Sequence, residues 1–182
     1  MAHLKKGRMG SYFVSATGPD DAAGVEYGDY KVHTFTATKT GSEGFVVAAT
    51  GVAPYNTIEY LVLAGGGGGG TWRGGGGGAG GYRSNAVGEG SGGVNAAHEA
   101  AMTCPAIGNH DVTIGAGGAG ASGGNGTAGG NSVFNGITST GGGYGAGLSS
   151  NSGATSAGGG GGSGGGARPQ SFRKRRIPAV AM

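Results

Sequence analysis

The sequence predicts a mainly β protein in which a small antiparallel sheet precedes a glycine-rich domain of packed polyglycine-II helices, with little or no α-helix. Three observations lead to this prediction. Glycine supplies 50 of the 182 residues, and Leu, Ile, Val and Phe together supply only 26. No segment shows the apolar period of an amphipathic helix. Such a low apolar content is too small for an ordinary globular core, so a different kind of packing must order the backbone.

The first part of the chain divides into an arm and a β region. We assign residues 1–24 to an N-terminal arm, because turn formers interrupt any sustained period there. Three strand-like runs follow, at 30–38, 45–49 and 58–63. The first alternates in the two-residue period of a strand, and the last is apolar on both faces, which is typical of a central strand. Together they predict a small antiparallel β region over 25–63.

The composition changes abruptly at Ala64, and 42 of the 103 residues from 64 to 166 are glycine. A flexible linker is the simplest interpretation. However, strand-like groups at 112–114 and 133–138 interrupt the glycine blocks, and a solvated linker has no need of them. Glycine-rich chains have an ordered alternative, the extended three-fold helix that rises about 3.1 Å per residue without internal hydrogen bonds. Such helices lie side by side and exchange backbone hydrogen bonds, which replaces the missing apolar core.

The charges are divided between the ends and the body of the chain. Positions 1–10 hold three basic residues and 168–176 hold five, whereas 11–167 hold four basic and nine acidic residues. We therefore assign 167–182 to a basic C-terminal arm with a role of its own. Its candidates for docking to another protein are Arg173, Lys174, Arg175 and Arg176. A solvated tail is the alternative, and phosphate contact with nucleic acid is the least favoured.

Residues 115–120 spell the dinucleotide-binding pattern G-x-G-x-x-G. That loop must open a helix whose N-terminus faces the pyrophosphate, and an acidic residue follows about 20 positions later. Residues 121–130 are unsuited to a helix, and no Asp or Glu follows Asp111. Nucleotide binding is therefore not expected.

Potential metal ligands cluster in one segment: His98, Glu99, Cys104, His110 and Asp111. Structural zinc sites bring paired cysteines or two histidines in a fixed frame, and neither occurs here. The single cysteine also excludes an internal disulfide. A catalytic thiolate needs a base held by a third group in a dry pocket, which nothing in the sequence builds. We expect a solvated loop, no metal, no cofactor and no enzymatic activity.

Aromatic and arginine residues adjoin the glycine blocks in the sequence. If the blocks form helices without side chains, these residues lie at the ends of the helices. Rigid rings and guanidinium groups there can stack on sugars or hold an anionic surface. Their alternative role is to cap the array and shield it from water. The candidates for contact with a receptor are Trp72, Arg73, Tyr82, Arg83, His98 and Tyr144.

The order of these pieces resembles the glycine-rich domain of tailed-bacteriophage tail-fibre proteins, including the tip adhesins of T-even-type long tail fibres. The matching segments are IEYLVLA (58–64) running into six glycines, GGGGGAGGYR (74–83), VTIGAGGAG (112–120), NSVFNGIT (131–138) and TGGG (140–143). The resemblance implies a compact sandwich of polyglycine helices whose connecting loops contact the host surface. This chain departs from the pattern in its longer segment 89–111 and in its arginine-rich C-terminus.

The function that the resemblance implies is that of a non-enzymatic virion protein, a tail fibre or tail-tip adhesin assembled in the host cytoplasm. Specificity would lie in loops around 72–73, 82–111 and 144–156. The implied partners are other virion proteins, a host receptor that is a glycan or an outer-membrane protein, and two further copies in a homotrimer. The chain has no apolar run long enough to insert into a membrane. The alternative is a structural accessory such as a capsid decoration, a head fibre or a fibre connector.

Overall fold

The computed structural model of the protein describes residues 2–5, 14–18, 24–28, 30–91, 98–147 and 157–167. The docking candidates Arg173, Lys174, Arg175 and Arg176 lie outside the described residues, as does most of the loop at 144–156.

The described residues form twelve strands and one turn of 3-10 helix at Gly41–Glu43, without an α-helix among them. The predicted mainly β class is therefore confirmed. The strands are β1 (Ala2–Lys5), β2 (Val14–Thr17), β3 (Val25–Tyr27), β4 (Tyr30–His33), β5 (Phe45–Thr50), β6 (Thr57–Leu63), β7 (Tyr82–Ser84), β8 (Met102–Thr103), β9 (Gly108–His110), β10 (Val112–Thr113), β11 (Ser132–Phe134) and β12 (Ile137–Ser139).

The largest sheet has the order β3-β4-β1-β6-β7, with β8 also paired to β6. Its strands are antiparallel, and β1 lies inside it, with Ala2 opposite both His33 and Tyr60. Residues 2–5, expected in the N-terminal arm, are thus an inner strand of this sheet. The apolar strand β6 needs a neighbour on each side, and the start of the chain supplies one of them.

A second sheet has the order β2-β5-β9. The three predicted runs all contain strands, but they belong to two sheets, because β5 pairs with neither β4 nor β6. The first run is also shorter than expected, since β4 ends at His33. Strands β8 and β9 both come from the long segment 89–111. Strand β8 pairs with β6 of the first sheet and β9 pairs with β5 of the second, so the segment is attached to both sheets.

The third sheet, β10-β11-β12, lies where the glycine blocks were expected to be interrupted. Asn135 and Gly136 connect β11 to β12 with φ angles of 45° and 80°. Positive φ at both positions is what a two-residue type I′ hairpin requires. Phe134 of this sheet packs edge-on against Phe45 of β5, with ring centroids 5.5 Å apart. The apolar core therefore lies between the sheets, at the base of the glycine-rich part.

Six glycine segments extend from the sheets and return to them: segment I (64–71), II (74–81), III (115–121), IV (124–131), V (140–147) and VI (157–167). Segments I and II are antiparallel and bonded at every third residue of segment I. The bonds run from the N–H groups of Ala64, Gly67 and Gly70 to the carbonyls of Gly81, Gly78 and Gly75, at 2.8–3.0 Å.

Segment I contacts a different neighbour with each successive residue. The N–H groups of Gly65, Gly68 and Thr71 donate to segment IV, again with a three-residue spacing. The carbonyls of Gly66 and Gly69 accept from segment III, and those of Gly65 and Gly68 accept from segment V. A β-strand exchanges bonds with two neighbours in one plane. Here one segment is bonded to four neighbours around its axis.

The same three-residue period decides where a side chain fits. A Cβ atom added at Gly67 or Gly68 would lie less than 3.0 Å from a neighbouring backbone, whereas at Gly66 or Gly69 its nearest neighbour would be 3.6 Å away. Segments III and IV follow this rule in their sequence. Their blocked positions hold Gly115, Gly118, Gly126 and Gly129, and the exposed positions between them hold Ala116, Ala119, Thr127 and Ala128.

Candidate binding surface

The array has a base at the sheets and a tip at the opposite end. We define the tip as residues 71–73, 121–125 and 147, where segments I, III and V end. Hydrogen bonds join its three parts. Thr71 N donates to Gly124 O at 3.1 Å, and Gly124 N donates to Thr71 Oγ1 at 2.9 Å. Gly147 N donates to Asn125 Oδ1 at 2.9 Å, so the loops hold fixed positions relative to one another.

Trp72 and Arg73 form the turn from segment I to segment II, both in left-handed backbone conformation, with φ angles of 54° and 57°. The turn is tight, because Gly70 N donates to Gly75 O at 3.0 Å. A non-glycine residue in this region costs roughly 1–2 kcal/mol, and such strain is concentrated at functional sites. Trp72 is also 74% exposed, the most exposed aromatic side chain among the described residues. The tip therefore presents a strained, exposed aromatic and arginine pair.

The second aromatic and arginine pair, Tyr82 and Arg83, lies at the base in β7. Arg83 forms an ion pair with Glu99, in which Nε donates to Oε1 and Nη2 donates to Oε2 at 2.7 Å. Its Nη1 donates to Thr138 O at 3.0 Å. The guanidinium of Arg83 thus ties the segment around Glu99 to the sheets. Tyr82 donates its hydroxyl proton to Glu89 at 2.7 Å.

Glu99 is the centre of the hydrogen-bond network at the base of the array, which we call the base network. Its carboxylate also accepts hydrogen bonds from the hydroxyls of Tyr60 and Ser91, each at 2.7 Å. The Arg83 guanidinium, with help from the two hydroxyls, lowers the pKa of Glu99 to about 2. Burial, and then the bond to Glu99, raise the pKa of Tyr60 to about 12. A carboxylate held by three partners suits a structural role better than ligand exchange.

The remaining receptor-contact candidates lie in different places. His98 is exposed and precedes Glu99 at the base, whereas Tyr144 is half-buried within segment V. The Tyr144 ring lies against Gly159, whose N–H donates to the Tyr144 carbonyl at 2.8 Å. The structure therefore brings Trp72 and Arg73 together at the tip and separates them from the other four candidates. Thr71 and Asn125, which fix the tip loops, were not selected, although each adjoins a glycine block as the selected residues do.

Four of the five potential metal ligands are buried or hydrogen-bonded within the fold, Glu99 among them. Cys104 is buried, which raises its pKa to about 11. His110 Nε2 lies 2.7 Å from Ala106 O, and Asp111 Oδ1 accepts the Gly41 N–H at 2.8 Å. Within the described ranges, no three His, Cys, Asp or Glu side chains are grouped so as to hold a metal ion. The same residues include no helix with the length and apolar character needed to span a membrane.

A family model described as a glycine-rich domain matches residues 42–175 of the chain. The matched range contains strands β5 to β12 in full and all six glycine segments. Neither the curated proteins nor the solved structures contain a match to this sequence.

Proposed function

The chain belongs to the glycine-rich domain family, and on this premise we propose that it is a non-enzymatic phage virion protein. Its role is that of a tail fibre or tail-tip adhesin that recognises the host cell surface. The proposal includes the assignment of segments I to VI as polyglycine-II helices. The observation that carries it is the position of Trp72 and Arg73, which are exposed and strained at the tip of a hydrogen-bonded backbone array.

The hydrogen bonds of segment I support the polyglycine-II assignment. In a three-fold helix, residues three apart point in the same direction. Bonds to segment II therefore recur at 64, 67 and 70, and bonds to segment IV recur at 65, 68 and 71. Each bond contributes roughly 0.5–1.5 kcal/mol net, so stability comes from their number and from close packing. Ordered glycine segments make a stiff support for the loops that they connect.

The chemistry of the tip supports recognition of a surface receptor, either a glycan or an outer-membrane protein. An exposed indole ring offers a large, rigid face for stacking on a sugar or an apolar side chain. The neighbouring guanidinium of Arg73 can hold carboxylate or phosphate groups in two-pronged geometry. Because Thr71, Gly124 and Asn125 fix the loops, little conformational entropy is lost on binding.

Adsorption to cells tests the proposal. Purified protein labelled with a fluorophore is incubated with bacterial strains, and bound fluorescence is measured for the wild type, Trp72→Ala and Val87→Ala. Val87 is a matched control, since it is 81% exposed and follows β7 at the base. We expect saturable adsorption to a subset of strains, a loss of about tenfold or more for Trp72→Ala, and no change for Val87→Ala. Equal adsorption of all three proteins to susceptible strains would refute the role of the tip.

The charge distribution favours a second candidate, the structural virion accessory. Positions 168–176 carry five basic residues, whereas 11–167 carry nine acidic and four basic residues, so a basic arm could join copies or neighbouring virion proteins. Imaging of intact virions with a label on this chain distinguishes the two. A label at the tail tip supports the adhesin, and a label confined to the capsid supports the accessory.

A further inference from the structure

The array carries a single charged side chain, and it lies at the tip. Between 64 and 81 and between 112 and 167, the only charged residue in the sequence is Arg73, which is exposed. Every Asp and Glu of the chain lies in 20–63 or 89–111. Those that the structure describes are in the sheets or in the loops beside them. The positive charge of Arg73 is therefore at the end of the array that is farthest from the carboxylates.

The carboxylates of the base are too distant to neutralise Arg73. Segment I, residues 64–71, separates the tip from the sheets. At about 3.1 Å per residue, this separation is about 25 Å. Exposed charges are largely screened from one another beyond about 8 Å at physiological ionic strength. No ion pair within the described ranges includes Arg73, so the tip keeps an uncompensated positive charge.

Three side chains of the tip bring hydrogen-bond donors to solvent. Asn125 is exposed, and its Oδ1 already accepts the Gly147 N–H at 2.9 Å, so its Nδ2 donors are what it offers to a ligand. The guanidinium of Arg73 has five donors, and the indole of Trp72 has one. A ligand that suits this set supplies acceptor oxygens together with a negative charge for the guanidinium.

We infer that the ligand of the tip is an anionic sugar, with a carboxylate or a phosphate beside its ring; the inference names the ligand class of the proposed adhesin and rests on that function. The face of the sugar ring stacks on the indole of Trp72. The next residue, Arg73, holds the anionic group through two parallel hydrogen bonds. An exposed ion pair is weak by itself, so stacking and charge have to act on the same ligand. A neutral sugar leaves the guanidinium unused, and inorganic phosphate leaves the indole unused.

The composition of the tip matches a sugar better than a protein surface. A stable protein interface buries about 800 Å² on each partner and has an apolar centre. Among residues 71–73, 121–125 and 147, only Trp72 has a large apolar side chain, and the others are small or polar apart from Arg73. One ring face flanked by hydrogen-bond donors fits a single sugar unit.

Binding to matched polysaccharides tests the inference without cells. The immobilised probes are polygalacturonate with its carboxyl-reduced neutral form, and phosphomannan with its dephosphorylated form. The two pairs test the carboxylate and the phosphate separately. The basic arm would bind any polyanion by charge alone, so every protein in the test also carries Arg173→Gln, Lys174→Gln, Arg175→Gln and Arg176→Gln.

In this background we compare the unchanged tip with Arg73→Gln, Trp72→Ala and Lys39→Gln. Lys39 is a matched control, because it pairs with Glu43 at the base and its substitution removes the same charge far from the tip. The Tm of each protein is measured alongside, to show that the fold is retained.

We expect the unchanged tip to bind at least one charged polymer about tenfold more tightly than its neutral form, the factor typical of a hydrogen bond to a charged group. Arg73→Gln should abolish this preference, and Trp72→Ala should weaken the binding of both forms. Lys39→Gln should change neither. Added NaCl should weaken the binding of the charged form alone, because screening acts on the ion pair.

Equal binding of the charged and neutral forms by the unchanged tip would overturn the inference, as would a preference that survives Arg73→Gln. Adsorption to cells separates this failure from that of the adhesin proposal. Adsorption that persists in Arg73→Gln and is removed by protease treatment of the cells would assign the receptor to an outer-membrane protein. That result overturns the inference and retains the adhesin. Binding to a charged polymer that depends on Arg73, without adsorption to any strain, would retain the anionic-sugar site and refute the adhesin.

Discussion

Two adjacent glycines in segment II provide a direct test of the array. A Cβ atom at Gly77 would lie less than 3.0 Å from the carbonyl carbon and oxygen of Gly67, whereas a Cβ atom at Gly76 has nothing within 4 Å. Neither glycine has a φ in the left-handed range, so both positions accept alanine by conformation alone. Gly77→Ala and Gly76→Ala thus add the same methyl group at neighbouring positions, and only one of them meets a backbone.

The expected magnitudes follow from these contacts. Overpacking costs about 1–3 kcal/mol, and the upper end applies because the atoms that must move are backbone. Moving segment II away from segment I also weakens the Gly67 N to Gly78 O bond of 2.8 Å. We therefore expect Gly77→Ala to lower the free energy of unfolding by about 3 kcal/mol. Gly76→Ala should raise it by about 0.4–1 kcal/mol, since alanine restricts the unfolded chain more than glycine does.

Thermal unfolding, followed by calorimetry or circular dichroism, measures the difference. A change of 1 kcal/mol shifts the Tm of a chain of this size by about 2–4 °C, so Gly77→Ala should unfold about 6–12 °C below the wild type. Gly76→Ala should unfold at or slightly above the wild-type temperature. Equal Tm values for the two variants would mean that the glycine segments are not packed against one another, and the reasoning would be refuted.

Three further predictions concern the tip, the base network and the hairpin. Trp72→Gly removes a non-glycine residue with a φ of 54°, so we expect the free energy of unfolding to rise by about 1 kcal/mol and adsorption to cells to fall. A lower free energy of unfolding would contradict the inference that the backbone at Trp72 is strained. The pKa of Glu99, lowered from 4.5 to about 2, stabilises the fold above pH 4.5, and this contribution disappears as the pH falls toward 2. Denaturant titrations should show the loss, about 1–2 kcal/mol after allowance for the partly exposed Arg83, and Glu99→Gln should remove the pH dependence in that window. Gly136→Ala places a side chain at a φ of 80° and should destabilise the β11-β12 hairpin by about 1–2 kcal/mol in the same assay, whereas an unchanged stability would argue against the type I′ turn.

Local patterns in the sequence predicted several elements correctly. The alternating and apolar runs overlap β4, β5 and β6, and the interruptions of the glycine blocks overlap β10, β11 and β12. The hairpin at Asn135 and Gly136 was not predicted as such, although Asn-Gly between apolar runs is a strong hairpin signal. These elements are visible because residues within a few positions of one another determine them.

The arrangement of the strands depends on partners that are distant in the sequence. Strand β1 was assigned to an arm because Ala2–Lys5 shows no long pattern, yet it pairs with β6 more than fifty positions later. Arg83 was selected as a candidate for receptor contact, but the fold brings Glu99 to its side. A local pattern shows which residues favour an extended backbone, but it does not show which strand or charge will be the neighbour.

The sequence by itself determined that the chain is mainly β and that glycine dominates residues 64–166. Only the tertiary structure decided which glycines are required, since Gly67 and Gly68 are blocked by backbone while Gly66 and Gly69 are open. The same holds for the tip, where Trp72 and Arg73 are separated from Tyr82 and Arg83. The physical reason is that glycine has no side chain whose size, charge or polarity could select a neighbouring segment. The contacts of each segment are therefore set by the segments packed around it.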